Sequence, residues 1–461
     1  MDAHELLVRD YESTLRVPGS SIPGHESTLD APASSIPVAA DPESALAATL
    51  PVWSLAGGSV AAFARAANRW RAAHGIDPLG HRLVPERIAA SFRSDRLLRI
   101  DGAPVHGFAE LSGFFEAADG WVRTHANYPH HRARLLRLLE LGDDADRARV
   151  AARIATRAAA EIEDRAAELG AIATRVRTEQ EWADSPQGRA AATGPLVAVD
   201  VRADTGDLEK PCAATRSQPL RGLRVLDLTR VLAGPVATRA LALLGAEVLR
   251  IDPPGLPELP FQYVDMCQGK RSALLDIWTR LPLLRELLGS ADVLVTGYRP
   301  GALEAAGVAA ADMRPGIIHG RVSAWGESGP WGRRRGFDSI VQAASGISLI
   351  EGGHGNSPLG ALPAQALDHG SGYLLAAGIL DALIARAGDG RGRDVRVALA
   401  RTGSWLLTAP GRAPEHPEPA PPAADSAVRH GGIISAAPVL AEYPDYPWPA
   451  RPYGGDAPAW T

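Results

Sequence analysis

The sequence predicts an α/β protein built on a doubly wound parallel sheet, with a smaller α+β domain beside it. Three observations carry this. A strand–helix–strand succession runs from Leu223 to Asp252. Two further short apolar strand patterns follow at Ala291–Thr296 and Ile317–Val322. Ahead of them, strand-like fragments alternate with a long charged helical stretch.

Taken in chain order, residues 1–50 carry little apolar periodicity and repeat Ser-Ser-Ile-Pro at 20–23 and 34–37, which reads as a loop-rich leader. From Ser54 to about Gly75 an Ala-rich run with a Gly stop predicts a helix. Leu97–Ile100 and Gly120–Thr124 read as strands flanking Phe114 and Phe115, Ala145–Gly170 as one amphipathic helical region, and Ala171–Val176 as a strand. Then Leu223–Thr229 is a short buried strand, Val236–Leu244 a helix closed by Gly245, and Glu247–Asp252 the next strand. Pro282 is tolerable in the first turn of a helix over Pro282–Leu288. Strands separated by helices predict parallel pairing with both faces covered. Beyond Ala409 the Pro-rich chain reads as an extended, wrapping tail without its own core.

Composition narrows the function. A net charge of -5 over 461 residues, with basic and acidic side chains interspersed, argues against nucleic acid as a partner. Cys212 and Cys267 form no C-x-x-C pair and suggest neither a disulfide framework nor a metal site, so a reducing cytoplasm is expected. Met1–Glu5 lacks the basic and apolar regions of a signal peptide. No apolar run reads as long enough to span a bilayer, so no membrane is expected.

Residues 368–398 echo residues 54–83: each reads as Gly-rich turn, Ala-rich helix, Gly stop and strand. In that register Asp368 faces Ser54, so only the second copy keeps a carboxylate. A chance likeness of two Ala-rich helices stays open at this point.

The turn after Leu228 is Thr-Arg-Val-Leu-Ala-Gly-Pro, without the G-x-G-x-x-G that lets backbone approach a pyrophosphate. Although Asp252 stands where a ribose-binding acid belongs, a nicotinamide or flavin site is disfavoured. There is no P-loop, H-E-x-x-H or G-x-S-x-G.

Seven segments remain in fixed order: Gly222–Pro235, Leu244–Asp252, Gly269–Ser272, Ala291–Leu303, Gly326–Pro330, Gly336–Gly346 and Gly390–Gly392. Together they closely resemble the class III coenzyme A transferases, the family of formyl-CoA:oxalate, carnitine and bile-acid CoA-transferases. Phe114–Trp121 and Ala171–Gln187 are similar to the small domain that normally follows the family's Rossmann-like half. The resemblance thus implies a leader (1–50), a degenerate downstream half with a small α+β domain (51–210), a Rossmann-like domain with the nucleophile (217–405) and a Pro-rich tail (406–461). This order departs from the family's and reads as a permutation or a truncated duplication. Family members form interlocked dimers, which leaves a homodimer open here.

By the resemblance Asp368 matches the nucleophile, whose carboxylate forms an acyl anhydride and then an aspartyl-CoA thioester. Gly370 and Gly372, with Ser371 between them, would offer backbone N–H groups to the oxyanion. The plain alternative for Asp368 is a helix cap. Val231 and Leu232 fall on the CoA-binding turn, and Leu232 replaces the Gln of the formyl-CoA enzyme, which disfavours a small polar acyl group. Lys270 and Arg271 match the basic pair near the nucleotide, Gly297, Tyr298 and Arg299 a stacking and phosphate loop, and Arg335 a basic CoA contact for which Arg333 or Arg334 could substitute. Gly352 and Gly353, ahead of His354 and Gly355, would form a flap. Acyl-CoA and a carboxylic acid are the implied substrates, coenzyme A entering as substrate with no permanent cofactor and no metal. Two other readings stay open. One is an α-methylacyl-CoA racemase, although Phe337 stands where its His base belongs in Gly336-Phe337-Asp338. The other is an inactive CoA-binding partner.

Overall fold

The computed structural model describes residues 3–15, 36–39, 42, 44–206, 214–309, 314–353 and 358–461. Seven strands make the main sheet: β1 (Ala198–Thr205), β2 (Arg224–Leu228), β3 (Glu247–Asp252), β4 (Arg271–Leu274), β5 (Val293–Thr296), β6 (Ile318–Ser323) and β7 (Arg391–Ala398), in the spatial order β1-β7-β6-β5-β2-β3-β4. All neighbours are parallel except β1, which closes one edge antiparallel to β7. Val225, Leu226, Val293, Leu294 and Val295 are buried, as expected of central parallel strands covered on both faces. The order reverses between β2 and β5, which pair from Val225↔Val293 to Leu228↔Thr296. At such a reversal the loops leaving the two strands diverge and open a crevice.

Four helices set the rest: α1 (Ala3–Thr14), α2 (Val52–Ala73), α3 (Ala233–Leu243) and α4 (Ala366–Asp389). Helix α4 lies between α2 and α3 at van der Waals distance. A Cβ on Gly370 would meet Leu55 Cδ1 at 2.9 Å, and one on Gly372 would meet the Ala233 carbonyl oxygen at 2.6 Å. These glycines sit inside the helix rather than on a turn before it, where their N–H groups serve the helical ladder. The oxyanion role expected of Gly370 and Gly372 is therefore corrected: they are there for close helix packing.

The internal repeat has a structural counterpart. Both long helices are entered through the same backbone geometry, φ -75° and ψ 64° at Pro51 and at Gln365. Ser54 and Asp368 are both the third helical residue. A Cβ on Gly58 would strike Leu7 of α1, much as one on Gly372 strikes α3. So α1 lies on α2 as α3 lies on α4.

Three expectations change. The leader is not all loop: Leu7, Val8 and Tyr11 are buried on α1, and the Tyr11 hydroxyl donates to Asp381 Oδ2 at 2.5 Å. The helical region from Ala145 breaks into Arg147–Ile154 and Ala159–Leu169, because Asp119 Oδ1 accepts the Ala159 N–H at 2.7 Å and starts a new helix there. Helix α4 is long and apolar enough to cross a bilayer, yet it is buried at the centre of the protein. Cys212, His354, Gly355 and most of the Ser-Ser-Ile-Pro repeat lie outside the described residues, while Cys267 is buried and free.

A second apolar cluster, including Phe115, Val122, Leu135, Val150 and Ile162, lies under a three-stranded antiparallel sheet (113–117, 120–124, 173–175). The tail forms a hairpin, Ala427–His430 with Ile433–Ala436, that pairs with Arg99–Ile100.

Candidate active site

A cavity of about 380 Å³ opens where the sheet order reverses. The loop after β2 supplies Arg230, Val231 and Leu232, and the loop after β5 supplies Gly297, Tyr298 and Arg299. Arg334 and Arg335 close one side, and Asp368 stands at the head of α4. The segment expected to be degenerate contributes as well: Tyr128, His130 and His131 form a wall that sequence reasoning passed over.

Among the lining residues Asp368 is the sole carboxylate, and Arg230, Arg299, Arg334 and Arg335 line the same cavity. Burial first, then Arg134 and Arg299, push the Arg335 guanidinium down, which marks a cationic cluster short of counter-charge. An anion entering the cavity would relieve that repulsion. Burial also holds His131 down to about 2 and lowers His130.

Val231 carries φ 69°, an outlier for a β-branched residue, and its N–H donates to Glu258 Oε2 at 3.0 Å. Glu258 is gripped in turn by Arg250 Nη2 at 3.0 Å and bonds the Tyr128 hydroxyl. Such strain, worth about 1–3 kcal/mol, persists where its surroundings fix it. Arg250 also holds Asp252 at 2.7 Å, so Asp252 is buried in an ion pair rather than offered to a ribose.

Asp368 is 6% exposed. It is not the helix cap, since the cap position is Gln365 and that residue makes no side-chain cap. The helix end is satisfied from outside: Asp338 Oδ2 accepts the Asp368 N–H at 2.9 Å. Asp338, fully buried, is pushed up to about 6 by desolvation. Asp368 is also raised, by burial first and then by the charge of Asp338. A buried carboxylate pair was not anticipated, although Gly336-Phe337-Asp338 was noted as a motif.

Not every expected site residue reaches the cavity. Lys270 is fully buried, its ammonium donating to Asp227 Oδ2 at 3.0 Å, the Pro235 carbonyl at 2.9 Å and Thr238 Oγ1 at 2.5 Å. Arg271 binds Glu247 Oε1 at 3.2 Å and the Ala459 carbonyl at 2.6 Å, fastening the tail to the sheet edge. The nucleotide role expected of Lys270 and Arg271 is thus corrected to structural pairing. Gly352 and Gly353 follow the helix Ile347–Ile350 and do not line the cavity; a Cβ on Gly352 would meet the Pro358 carbonyl oxygen at 2.2 Å.

Residues 220–431 match the family model described as CoA-transferase family III. An acetyl-coenzyme A transferase of Hypoxylon pulicicidum is 35% identical over 209 residues, covering 43% of this chain and 35% of that one. A probable fatty acyl-CoA transferase of Mycobacterium tuberculosis is 34% identical, covering 40% and 51%. A human succinyl-CoA:glutarate CoA-transferase is 34% identical, covering 38% and 44%. A solved structure of a hypothetical protein from Mycobacterium tuberculosis aligns at 32% identity and a TM-score of 0.39, covering 42% and 56%. This chain spans about half or less of the length of these curated relatives. Residues 220–431, which hold β2 to β7 and both carboxylates, are the part of this chain that is similar to CoA-transferase family III.

Proposed function

We propose that this chain moves coenzyme A from an acyl-CoA thioester to a carboxylic acid, with Asp368 as the nucleophile. The observation that carries this is a single buried carboxylate at the floor of an arginine-rich cavity. The strand order β4-β3-β2-β5-β6-β7 is that of a doubly wound, Rossmann-like sheet, whose ligands bind at the reversal where this cavity lies. Arginine forks at the mouth suit the phosphates of CoA.

An Asp368 oxygen attacks the thioester carbonyl, the C–S bond breaks, and an acyl–aspartyl anhydride and CoA thiolate result. The thiolate attacks the Asp368 carbonyl carbon, releasing the donor acid and leaving an aspartyl-CoA thioester. The acceptor carboxylate displaces the thiolate to form a second anhydride, and the thiolate then takes the new acyl group and frees Asp368. Each step exchanges one acyl bond for another of similar energy, the advantage of covalent catalysis. Burial raises both carboxyls, and Asp368 attacks in the form that has given its proton up. Asp368→Asn keeps the shape and cannot form the anhydride; transfer should fall by several orders of magnitude with the fold intact. Full activity in that variant removes the proposal.

One observation favours a second reading. His125 stacks on Phe337, ring centroids 3.8 Å apart and planes at 4°, so an imidazole lies beside the position where a racemase carries its base. Burial lowers it to about 3, which weakens it as a base. Deuterium entering the α-carbon of an acyl-CoA in heavy water, with no CoA reaching an added acid, would establish that reading.

A further inference from the structure

Asp368 borders two cavities. Behind the arginine-rich one lies a second of about 150 Å³, and Val231, Leu232, Phe337 and Asp368 line both. The two chambers thus meet at the carboxylate. They differ in charge. The second chamber mixes Phe92, Phe108, Phe261 and Leu362 with the polar Asn127 and Gln262, and its one cationic side chain, Arg96, is exposed and faces the neighbouring Asp95.

Its lining includes two residues with a buried polar atom that has no partner among the described residues. Asp265 Oδ2 accepts the Ser94 hydroxyl at 2.6 Å, but Asp265 Oδ1 has no partner among the described residues. His369 stacks on Phe92, centroids 5.1 Å apart, and its Nδ1 is likewise unpartnered. Both residues are at most 3% exposed. A buried polar atom without a hydrogen bond costs on the order of 1–3 kcal/mol, so two in the lining of one cavity call for a ligand group that satisfies them.

We infer that the second chamber is the acyl chamber and that it selects an acyl group of about one ring in size, aromatic or branched, carrying a hydroxyl that reaches Asp265 and His369. This rests on the CoA-transfer reading above. The size follows from volume, since a cavity of roughly 150 Å³ has room for a benzene ring. The hydroxyl follows from the two orphan atoms, one carboxylate oxygen and one imidazole nitrogen, which together accept and donate. A second carboxylate on the acyl group is disfavoured, because it would face Asp265 and Asp95, while Arg96 is the one cation in the lining and the buried Arg239 already offsets Asp265.

The test compares three donors, phenylacetyl-CoA, 4-hydroxyphenylacetyl-CoA and succinyl-CoA, with acetate as acceptor and the full chain as enzyme. The hydroxylated donor should exceed phenylacetyl-CoA in kcat/KM by roughly tenfold or more, and succinyl-CoA should be the poorest. Asp265→Leu should bring the hydroxyl advantage close to one. So should His369→Phe, which keeps the stack on Phe92 and serves if the first variant does not fold. A preference for succinyl-CoA, or a hydroxyl advantage that survives both substitutions, overturns the chamber assignment while leaving CoA transfer standing. No transfer from any donor, with no adduct on Asp368, overturns the CoA-transfer reading and this inference with it.

Discussion

Asp338 Oδ2 accepts the backbone N–H of Asp368 at 2.9 Å, so one carboxylate caps the helix whose third residue is the other. Helix N-termini favour negative charge, which draws ionisation toward Asp338. Burial and the charge of Asp338 both raise Asp368. Asp338 thus receives a hydrogen bond that favours its charged form, and Asp368 lies beside it with its own carboxyl raised.

Replacing Asp338 by Asn keeps an acceptor for the Asp368 N–H and removes the neighbouring charge. The Asp368 carboxyl should then titrate lower, and the acidic limb of the kcat/KM profile should move to lower pH. Steady-state rates from pH 4 to 8 check this, and an unmoved limb contradicts the coupling.

The same raised titration makes a statement about stability. A carboxyl whose folded value lies above its unfolded one favours the fold fully below pH ~4, and that contribution is lost as pH rises through the folded value. Asp368→Asn cannot ionise and escapes the loss. Its melting temperature should match or exceed that of the unsubstituted protein at pH 8, with the gap closing toward pH 4. A variant that is less stable at pH 8 would mean the carboxylate itself holds the fold.

Lys270 and Arg299 should separate cleanly. Removing the Lys270 ammonium leaves Asp227 charged and buried, although Thr229 and Thr238 still donate to it. Lys270→Met should cost about 3–5 kcal/mol in chemical denaturation. Arg299→Ala, at the cavity mouth, should leave stability nearly unchanged and raise KM for acyl-CoA about tenfold or more, as loss of a charge-assisted bond to phosphate requires. If Lys270→Met instead weakened CoA binding with no loss of stability, the structural role assigned to it would be wrong.

The parts of the fold legible in the sequence were those set by short-range pattern. Continuous apolar runs gave β2, β3, β5 and β6 to within about two residues, because a strand covered on both faces needs no alternation. The Ala-rich runs gave α2 and α4. What escaped depended on partners distant in sequence. Helix α1 has only Leu6, Leu7, Val8 and Tyr11 to mark it, and its packing face is completed by α2. The break before Ala159 is imposed by Asp119. Lys270 reads as a surface cation until Asp227 and Thr238 surround it. In the site, Asp368, Val231, Leu232, Tyr298, Arg299 and Arg335 were legible through ordered motifs. Asp338, Tyr128 and the chamber at Asp265 were not, since their relation to Asp368 exists only once β2, α4 and the residues before Pro129 are brought together.

The most direct test of the account is to mix the protein with an acyl-CoA donor, quench with hydroxylamine and locate the modification by peptide mass spectrometry. A hydroxamate on Asp368, absent without donor and absent from Asp368→Asn, is the predicted result. Turnover of CoA with Asp368 unmodified, or a hydroxamate on another carboxylate, would contradict it.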